Sequence, residues 1–273
     1  MKRVVDADCQ DLARTWQPAR SVRGLVAGSE LWIGQWHCPG ERRTWRKDHA
    51  SHTVIELFRE GGHLRQLAGD QIVVGPTSVV VHPADDEFRI ASPSNRPQRS
   101  TIIYLRGELE HGVRRATSGR LSARTALRHK GLIASRDPVA IEEAALDLVR
   151  DVLAIPAAPL RGRPPASWRR VADDMLHAIA TRHHERLSLD DIAAAAGSSP
   201  FHASRVFRAV TGETVHRHLV RVRLRVALYA LARDEDRDLS ELALAAGFSS
   251  HSHFSSAFRA EFGVSPSAAR SAC

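Results

Sequence analysis

The chain has 273 residues, of which 39 are Lys or Arg and 31 are Asp or Glu, and its formal net charge is +8. This length predicts about two domains, and the 43% apolar composition allows each of them to bury a core. No run approaches the ~18 apolar residues of a membrane span, and the N-terminus lacks the apolar segment of a signal peptide. The three cysteines are far apart, which excludes a disulfide scaffold and a cysteine-rich zinc site and predicts a cytoplasmic protein.

Residues 20–106 alternate short, often β-branched runs with turn signals rich in Gly, Pro, Asp and Asn. Six runs are predicted strands: Leu31–Cys38, His52–Arg59, Gln71–Val74, Ser78–His82, Glu87–Ile90 and Thr101–Leu105. Short strands at regular spacing predict a sandwich or a barrel. Residues 119–153 are helical in pattern, and their apolar stripe from Ile141 to Val152 packs either on the strands or against a second subunit.

A proline-rich segment divides the chain. Residues 154–167 have the composition of a linker and contain Pro156, Pro159, Pro164 and Pro165. We therefore predict a strand-rich domain over 1–153, a linker over 154–167 and an all-helical domain over 168–273. Seven helices are predicted in the last domain, beginning near Ser167, Leu189, Pro200, Thr214, Leu239, Ser250 and Ser267.

The helical domain contains an internal repeat. LDDIAAAAG at 189–197 matches LSELALAAG at 239–247, and SPFHASRVFRAVTG at 199–212 matches SHSHFSSAFRAEFG at 250–263. Each copy has the form of a helix-turn-helix, over 189–211 and 239–262, with a glycine at the sharp turn where a positive φ is needed. Ser199 is the predicted N-cap of the second helix in the first copy, and Pro200 is its first residue.

The second helix of each copy is predicted to expose small polar side chains and arginine. The exposed residues are Phe201, Ser204, Arg205 and Arg208 in the first copy, and His251, Ser252, Ser255, Ser256 and Arg259 in the second. Small side chains let a helix approach base edges in a major groove, so the pattern predicts two DNA-reading helices. Arg205 is the candidate for a bidentate contact with guanine, while Arg208 and Arg259 are better placed for phosphates.

A helix of 19 residues from Thr214 to Ala232 is predicted between the two copies. Its length of about 28 Å is close to the ~34 Å of one duplex turn. Arg217, Arg221 and Arg225 recur along one side of it, and two interpretations stay open. These arginines contact either the DNA backbone or the acidic run at 234–236.

Residues 171–270 resemble the DNA-binding domain of the AraC family of bacterial transcription regulators. The resemblance rests on LDDIAAAAGSSPFHASRVFRAVTG and on LSELALAAGFSSHSHFSSAFRAEFGVSP. It implies two helix-turn-helix modules docked on one face of double-stranded DNA. The base contacts it implies are at Phe201, Ser204 and Arg205, and at His251, Ser252, Ser255 and Ser256. Ser256 stands where many relatives carry a long polar or basic residue, so the resemblance implies weak sequence reading by the second module. Ala269 stands where relatives commonly carry an aromatic residue, which implies a looser last helix.

The resemblance also implies an α+β chain of two domains, with an N-terminal cupin-like β-barrel followed by dimerising helices. On this basis we expect a sequence-specific, effector-responsive transcriptional activator that acts as a homodimer, with RNA polymerase as a further partner. The alternatives are a metal-dependent cupin enzyme fused to a helical domain and a non-specific architectural DNA binder.

The candidate metal ligands of the N-terminal half are His49, His52, Glu56 and His82, and the His-x-His pair of metal-binding cupins is absent. No phosphate-binding glycine loop or nucleophile motif stands out, so we expect no metal, no cofactor and no enzymatic activity. Trp32 and Trp36 share one face of a predicted strand and either line an apolar ligand pocket or belong to the core. Cys38, beyond them, is a redox-sensor candidate only if a cation lies beside it.

Overall fold

The computed structural model describes residues 21–40, 43–67, 69–92, 94–155, 164–234 and 236–271. Five residues that the sequence predictions concern lie outside these ranges. They are two of the three cysteines, two linker prolines and one residue of the acidic run: Cys9, Cys273, Pro156, Pro159 and Glu235. The described strands are β1 Ser21–Ala27, β2 Leu31–Cys38, β3 Arg43–Ala50, β4 Val54–Glu60, β5 His63–Leu67, β6 Asp70–Val74, β7 Ser78–His82, β8 Asp86–Ser92, β9 Gln98–Leu105 and β10 Thr117–Arg120. The described helices are α1 Glu108–His111, α2 Ala123–Ala134, α3 Pro138–Leu153, α4 Ala166–Arg182, α5 Leu189–Ala195, α6 Pro200–Thr211, α7 Val215–Leu231, α8 Leu239–Ala245, α9 His251–Phe262 and α10 Pro266–Ser271.

The strands form two antiparallel sheets. One has six strands in the order β1-β2-β9-β4-β7-β10, and the other has four in the order β3-β8-β5-β6. The predicted α+β class, with strands first and helix-turn-helix modules last, is confirmed. The barrel is not closed, because no described strand of one sheet pairs with a strand of the other. We refer to β1–β10 as the sandwich.

All six predicted strands are present, and four further strands were missed. The missed strands are β1, β3, β5 and β10, of which β1, β3 and β10 lie at sheet edges. An edge strand pairs on one side only, so its sequence tolerates more polar residues. The sequence RTWRKDHA of β3 therefore lacks the alternation that marks a strand with one buried face.

The four central strands of the six-stranded sheet, β2, β9, β4 and β7, are buried on both faces. Trp32 and Trp36 of β2 face the interior between the sheets, with Phe58 and Tyr104. The alternate residues, such as Ile33, lie on the other face, in the cluster that includes α2, α3 and α7. The stripe of α3, from Ile141 to Val152, is buried in that cluster, so it packs within the subunit.

The seven predicted helices of the C-terminal half are present, each within one residue of its predicted start. Their starts are encoded locally: Ser199 caps α6 and Pro200 is its first residue, as predicted. Residues 154, 155, 164 and 165 belong to no helix or strand, which fits the predicted linker, although the domain boundaries stay a prediction. No described helix is long and apolar enough to cross a membrane.

Candidate nucleic-acid interface

The first helix-turn-helix, which we call module 1, consists of α5 and α6. Ser188 and Asp191 form a capping box that starts α5, and Gly197 takes a φ of 59° at the turn. The Oγ of Ser199 then accepts a hydrogen bond from the backbone N–H of His202 at 3.4 Å. These local signals pack one face of α6 against α5 and leave the opposite face of α6 exposed to solvent.

The two faces of α6 are those predicted from its sequence. Ala203, Val206 and Phe207 are buried, with Phe207 packed in a cluster that includes Met175 of α4 and Leu219 of α7. The predicted DNA-contacting side chains, Phe201, Ser204, Arg205 and Arg208, are all exposed. Phe201 is 82% exposed, whereas a phenylalanine that packs in a core is buried.

The second helix-turn-helix, module 2, consists of α8 and α9 and repeats this construction. Gly247 takes a φ of 92° at the turn, and the Oγ of Ser250 accepts a hydrogen bond from the N–H of His253 at 3.2 Å. The three buried residues of α9 are Phe254, Phe258 and Phe262. Of the predicted contact residues, His251, Ser252, Ser256 and Arg259 are exposed, and Ser255 is half-buried. The Ser255 hydroxyl lies 3.3 Å from Nε2 of His251.

An aromatic side chain outside the module orients the predicted guanine-reading residue. The Cζ of Arg205 lies 5.3 Å from the centroid of the Trp168 ring, which is within cation–π distance. Trp168 also contacts the imidazole of His202 edge-on. Trp168 was not among the predicted site residues, because a single tryptophan 37 positions before Arg205 carries no local signal of this contact.

Two of the three arginines of the connecting helix α7 make contacts that neither interpretation named. Arg221 and Arg225 are buried, and their ion pairs within the described part of the chain are with residues other than Asp234 and Asp236. Arg221 pairs with Glu213, which follows α6, and Arg225 pairs with Glu261 of α9 at 3.1 Å. The two arginines therefore hold the ends of the two predicted reading helices on α7, while Arg217 remains exposed.

Glu213 is the centre of this buried network. It accepts hydrogen bonds from Arg221 and from Arg120 of β10, and Nδ1 of His218 lies 3.0 Å from its Oε1. Burial alone would raise its pKa, but the hydrogen bond from His218 and the charges of its three partners lower the pKa of Glu213 to about 2. The carboxylate is therefore charged at neutral pH and joins the sandwich to the end of α6.

Comparison with known proteins gives consistent matches. A family model described as a helix-turn-helix domain matches residues 192–272. The MmsAB operon regulatory protein of Pseudomonas aeruginosa is 26% identical over 265 residues, which cover 87% of this chain and 81% of that protein. The transcriptional activator NphR of Rhodococcus sp is 28% identical over 243 residues, covering 81% of this chain and 70% of NphR. The regulatory protein SoxS of Escherichia coli is 30% identical over 101 residues, covering 37% of this chain and 94% of SoxS.

The match to SoxS decides the family, because this chain spans nearly the whole of that protein at 30% identity. The chain belongs to the AraC family of transcriptional regulators. It is a sequence-specific DNA-binding regulator. The predicted recognition of the family from the two repeated motifs is confirmed.

The four candidate metal ligands of this AraC-family regulator do not come together as one group. His49 is in β3, whereas His52 lies before β4 and bonds a carboxylate of α1 through Nδ1 at 3.1 Å. Glu56 accepts a hydrogen bond from Arg65 at 2.6 Å, and Nε2 of His82 lies 2.8 Å from the same guanidinium. Within the described ranges, no group of three or more His, Cys, Asp or Glu side chains is arranged to hold a metal ion.

Trp32 and Trp36 have the placement of core residues. Both are buried between the sheets, and the Trp32 ring lies 5.5 Å from that of Tyr104. Cys38 is buried in the same cluster. A ligand-binding role for the two tryptophans in this regulator stays a prediction.

Proposed function

We propose that α6 and α9 are the two DNA-reading helices and that they enter successive major grooves on one face of the duplex. The observation that carries this proposal is the structural duplication. Both helices begin at a capping serine after a tight glycine turn, and both expose short polar side chains and an arginine at matching positions. The helix between them has 17 residues, or ~26 Å, which is comparable with the ~34 Å turn of the duplex.

In module 1, Phe201, Ser204 and Arg205 are proposed to contact base edges. The exposed Phe201 ring suits a thymine methyl group. Trp168 lies at cation–π distance from the Arg205 guanidinium, and we propose that the N–H donors of this guanidinium bind N7 and O6 of one guanine. Arg208, one turn further along α6, is proposed to contact a phosphate.

In module 2, His251, Ser252, Ser255 and Ser256 are proposed to face the bases. Their side chains are short, so the helix can approach closely, but each hydroxyl makes single rather than bidentate hydrogen bonds. Arg259 is proposed to contact a phosphate. Module 1 then sets most of the sequence preference, and module 2 contributes mainly affinity.

We further propose that the chain is an effector-responsive transcriptional activator in the cytoplasm and binds as a homodimer, with RNA polymerase as a partner. Its relative NphR is named a transcriptional activator and matches 81% of this chain. The apolar side chains of Val139 and Leu153 on α3 are 64% and 41% exposed in the single chain, and a dimer contact would cover them. Analytical ultracentrifugation tests the dimer: a strictly monomeric chain in the presence of operator DNA would contradict it.

The test of DNA reading uses the full chain and DNA that flanks its own gene. Fluorescence anisotropy at fixed salt compares this DNA with a random duplex, for wild type and for Arg205→Ala. We expect the variant to lose about 1–3 kcal/mol on the specific duplex and little on the random one. Arg89→Ala, at an exposed position of β8, is the matched control and should bind as wild type does. Equal affinity of wild type for both duplexes would instead identify an architectural binder, and an unchanged preference in Arg205→Ala would remove Arg205 from base reading.

A further inference from the structure

A cleft of about 410 Å³ lies between the sandwich and the helical half. Its walls come from the ends of β4 and β9, the C-terminal end of α4, the connecting helix α7 and the first helix of module 2, α8. This volume is within the range of ~300–1,000 Å³ that is typical of small-molecule sites. The cleft is separate from the proposed DNA-facing surfaces of α6 and α9, since no residue of either helix lines it.

The cleft has an excess of positive charge. The arginines that line it are Arg59, Arg96, Arg99, Arg233 and Arg237, and the carboxylate among the lining residues is Glu60. Glu60 pairs with Arg99 at 3.0 Å and lies 4.0 Å from Arg233, so one carboxylate is shared between two arginines. Five cations against one anion leave the lining four charges positive, and Glu185, outside the lining, pairs with Arg96 at 3.3 Å.

Arg59 is the buried member of this group. Its side chain is 94% shielded from solvent, and its Nη2 donates to the carbonyl of Ser100 at 3.1 Å. Its Nε has no hydrogen-bond partner in the described part of the chain, and no described carboxylate lies within ion-pair distance of it. Burial is the main reason that its pKa falls to about 10. A buried guanidinium without a carboxylate partner is unfavourable, and a bound anion would relieve that state.

The remaining lining is mainly apolar, and its polar residues are Thr181, His183, His184 and Tyr229. Ala180, Val226, Ala227, Ala230, Leu242 and Ala246 supply the apolar part from α4, α7 and α8 and their ends. One wall therefore suits a negative group and the other a hydrocarbon surface, which is the lining of a site for an amphipathic anion. His183 lies at the same cleft, and burial lowers its pKa to about 4, so it adds no charge at neutral pH.

We propose that this cleft binds a small organic anion whose acidic group meets Arg59, Arg99 and Arg233 and whose apolar body lies against α7 and α8. This inference rests on the proposed effector response and assigns it a site and a ligand class. A ligand in the cleft would contact the sandwich, the helix that joins the modules and the helix behind α9. Its binding would therefore be coupled to DNA binding, and the coupling must be equal in both directions.

The test uses anilinonaphthalene sulfonate, a fluorescent aromatic anion, titrated into the full chain. We expect one probe per chain, with binding weakened at least about tenfold by the double substitution Arg99→Gln with Arg233→Gln. Ala245→Phe, which fills the cleft from an exposed position of α8, should weaken it similarly. Arg150→Gln is the matched control and should bind the probe as wild type does. The neutral probe phenylnaphthylamine should bind more weakly than the anion.

Equal probe affinity in wild type and in both cleft variants would overturn the proposal. The binding of operator DNA to the same samples is measured without the probe. This measurement separates the proposed anion site from the proposed DNA-binding function. A chain that binds operator but not the anion contradicts the cleft site alone, whereas a chain that binds no operator contradicts the proposed function. Saturating operator should change the probe affinity, and the probe should change operator affinity by the same factor. Inorganic phosphate as competitor distinguishes a phosphate ligand from a carboxylate one.

Discussion

The two helix-turn-helix modules share a sequence pattern but are attached to the sandwich by different forces. In module 2, Phe254 and Phe258 lie in one hydrophobic cluster with Ile55 and Leu57 of β4, and α9 packs on α2. Module 1 has a separate cluster of its own, in which Phe207 packs with residues of α4 and α7. One copy of the repeat therefore shares the core of the sandwich, and the other does not.

Module 1 and its supporting helix α4 meet the sandwich through polar side chains. Arg169 of α4 pairs with Asp70 of β6 at 3.0 Å, and Glu213, after α6, pairs with Arg120 of β10. The Arg169–Asp70 pair is partly exposed and contributes little stability, whereas burial of apolar side chains contributes strongly. The two modules have the same fold but are coupled unequally to the sandwich. Module 1 should therefore unfold locally while the sandwich stays folded.

The largest expected effect comes from removing one buried ring in each module. Phe207→Ala and Phe258→Ala each remove a fully buried side chain and should each lower stability by about 3–5 kcal/mol. Phe258→Ala should accelerate hydrogen exchange in β4 and β9 as well as in module 2. Phe207→Ala should accelerate it in module 1 alone.

Phe201→Ala is the control for this pair, because Phe201 is exposed and its loss should leave hydrogen exchange unchanged. The comparison of the modules fails if Phe207→Ala accelerates exchange in β4 and β9 as much as Phe258→Ala does.

A pH effect is expected where α4 meets the sandwich. Burial, with the charge of Asp174, raises the pKa of Asp173 to about 7, against 3.8 when unfolded. Between about pH 4 and pH 7 the folded chain keeps a proton that the unfolded chain releases, so stability falls as the pH rises through this window. Asp173→Asn should remove this fall, which is on the order of a few kcal/mol.

Urea unfolding at about pH 5 and about pH 8 measures this effect, with Asp147→Asn on α3 as the control. A wild type and an Asp173→Asn variant with the same pH dependence would show that this carboxyl does not hold a proton at the contact.

The smallest effect is expected in module 2. Ser256→Ala removes one exposed hydroxyl, worth about 0.5–1.5 kcal/mol at most, so operator affinity should fall by less than about tenfold. The loss should be smaller than that of Arg205→Ala in the same anisotropy assay. If Ser256→Ala weakens operator binding more than Arg205→Ala does, the proposal that module 1 sets most of the sequence preference is wrong.

Features encoded by local sequence could be predicted, and features set by tertiary contacts could not. The starts of α6 and α9 were predicted because Ser199 and Ser250 cap them within a few residues. The partners of Arg221 and Arg225 were not, since Glu213 and Glu261 reach them only when α6 and α9 pack on α7. Strand β5 was missed because its buried Arg65 is balanced by Glu56 on another strand, which no pattern within five residues reveals.

Native-state hydrogen exchange of the full chain at rising urea concentration tests the unequal coupling of the modules most directly. We expect the amides of α9 to open with the same free energy as those of β4 and β9, and the amides of α6 to open at a lower free energy of their own. Identical opening free energies for α6 and α9, or an α9 that opens independently of β4 and β9, would contradict this expectation.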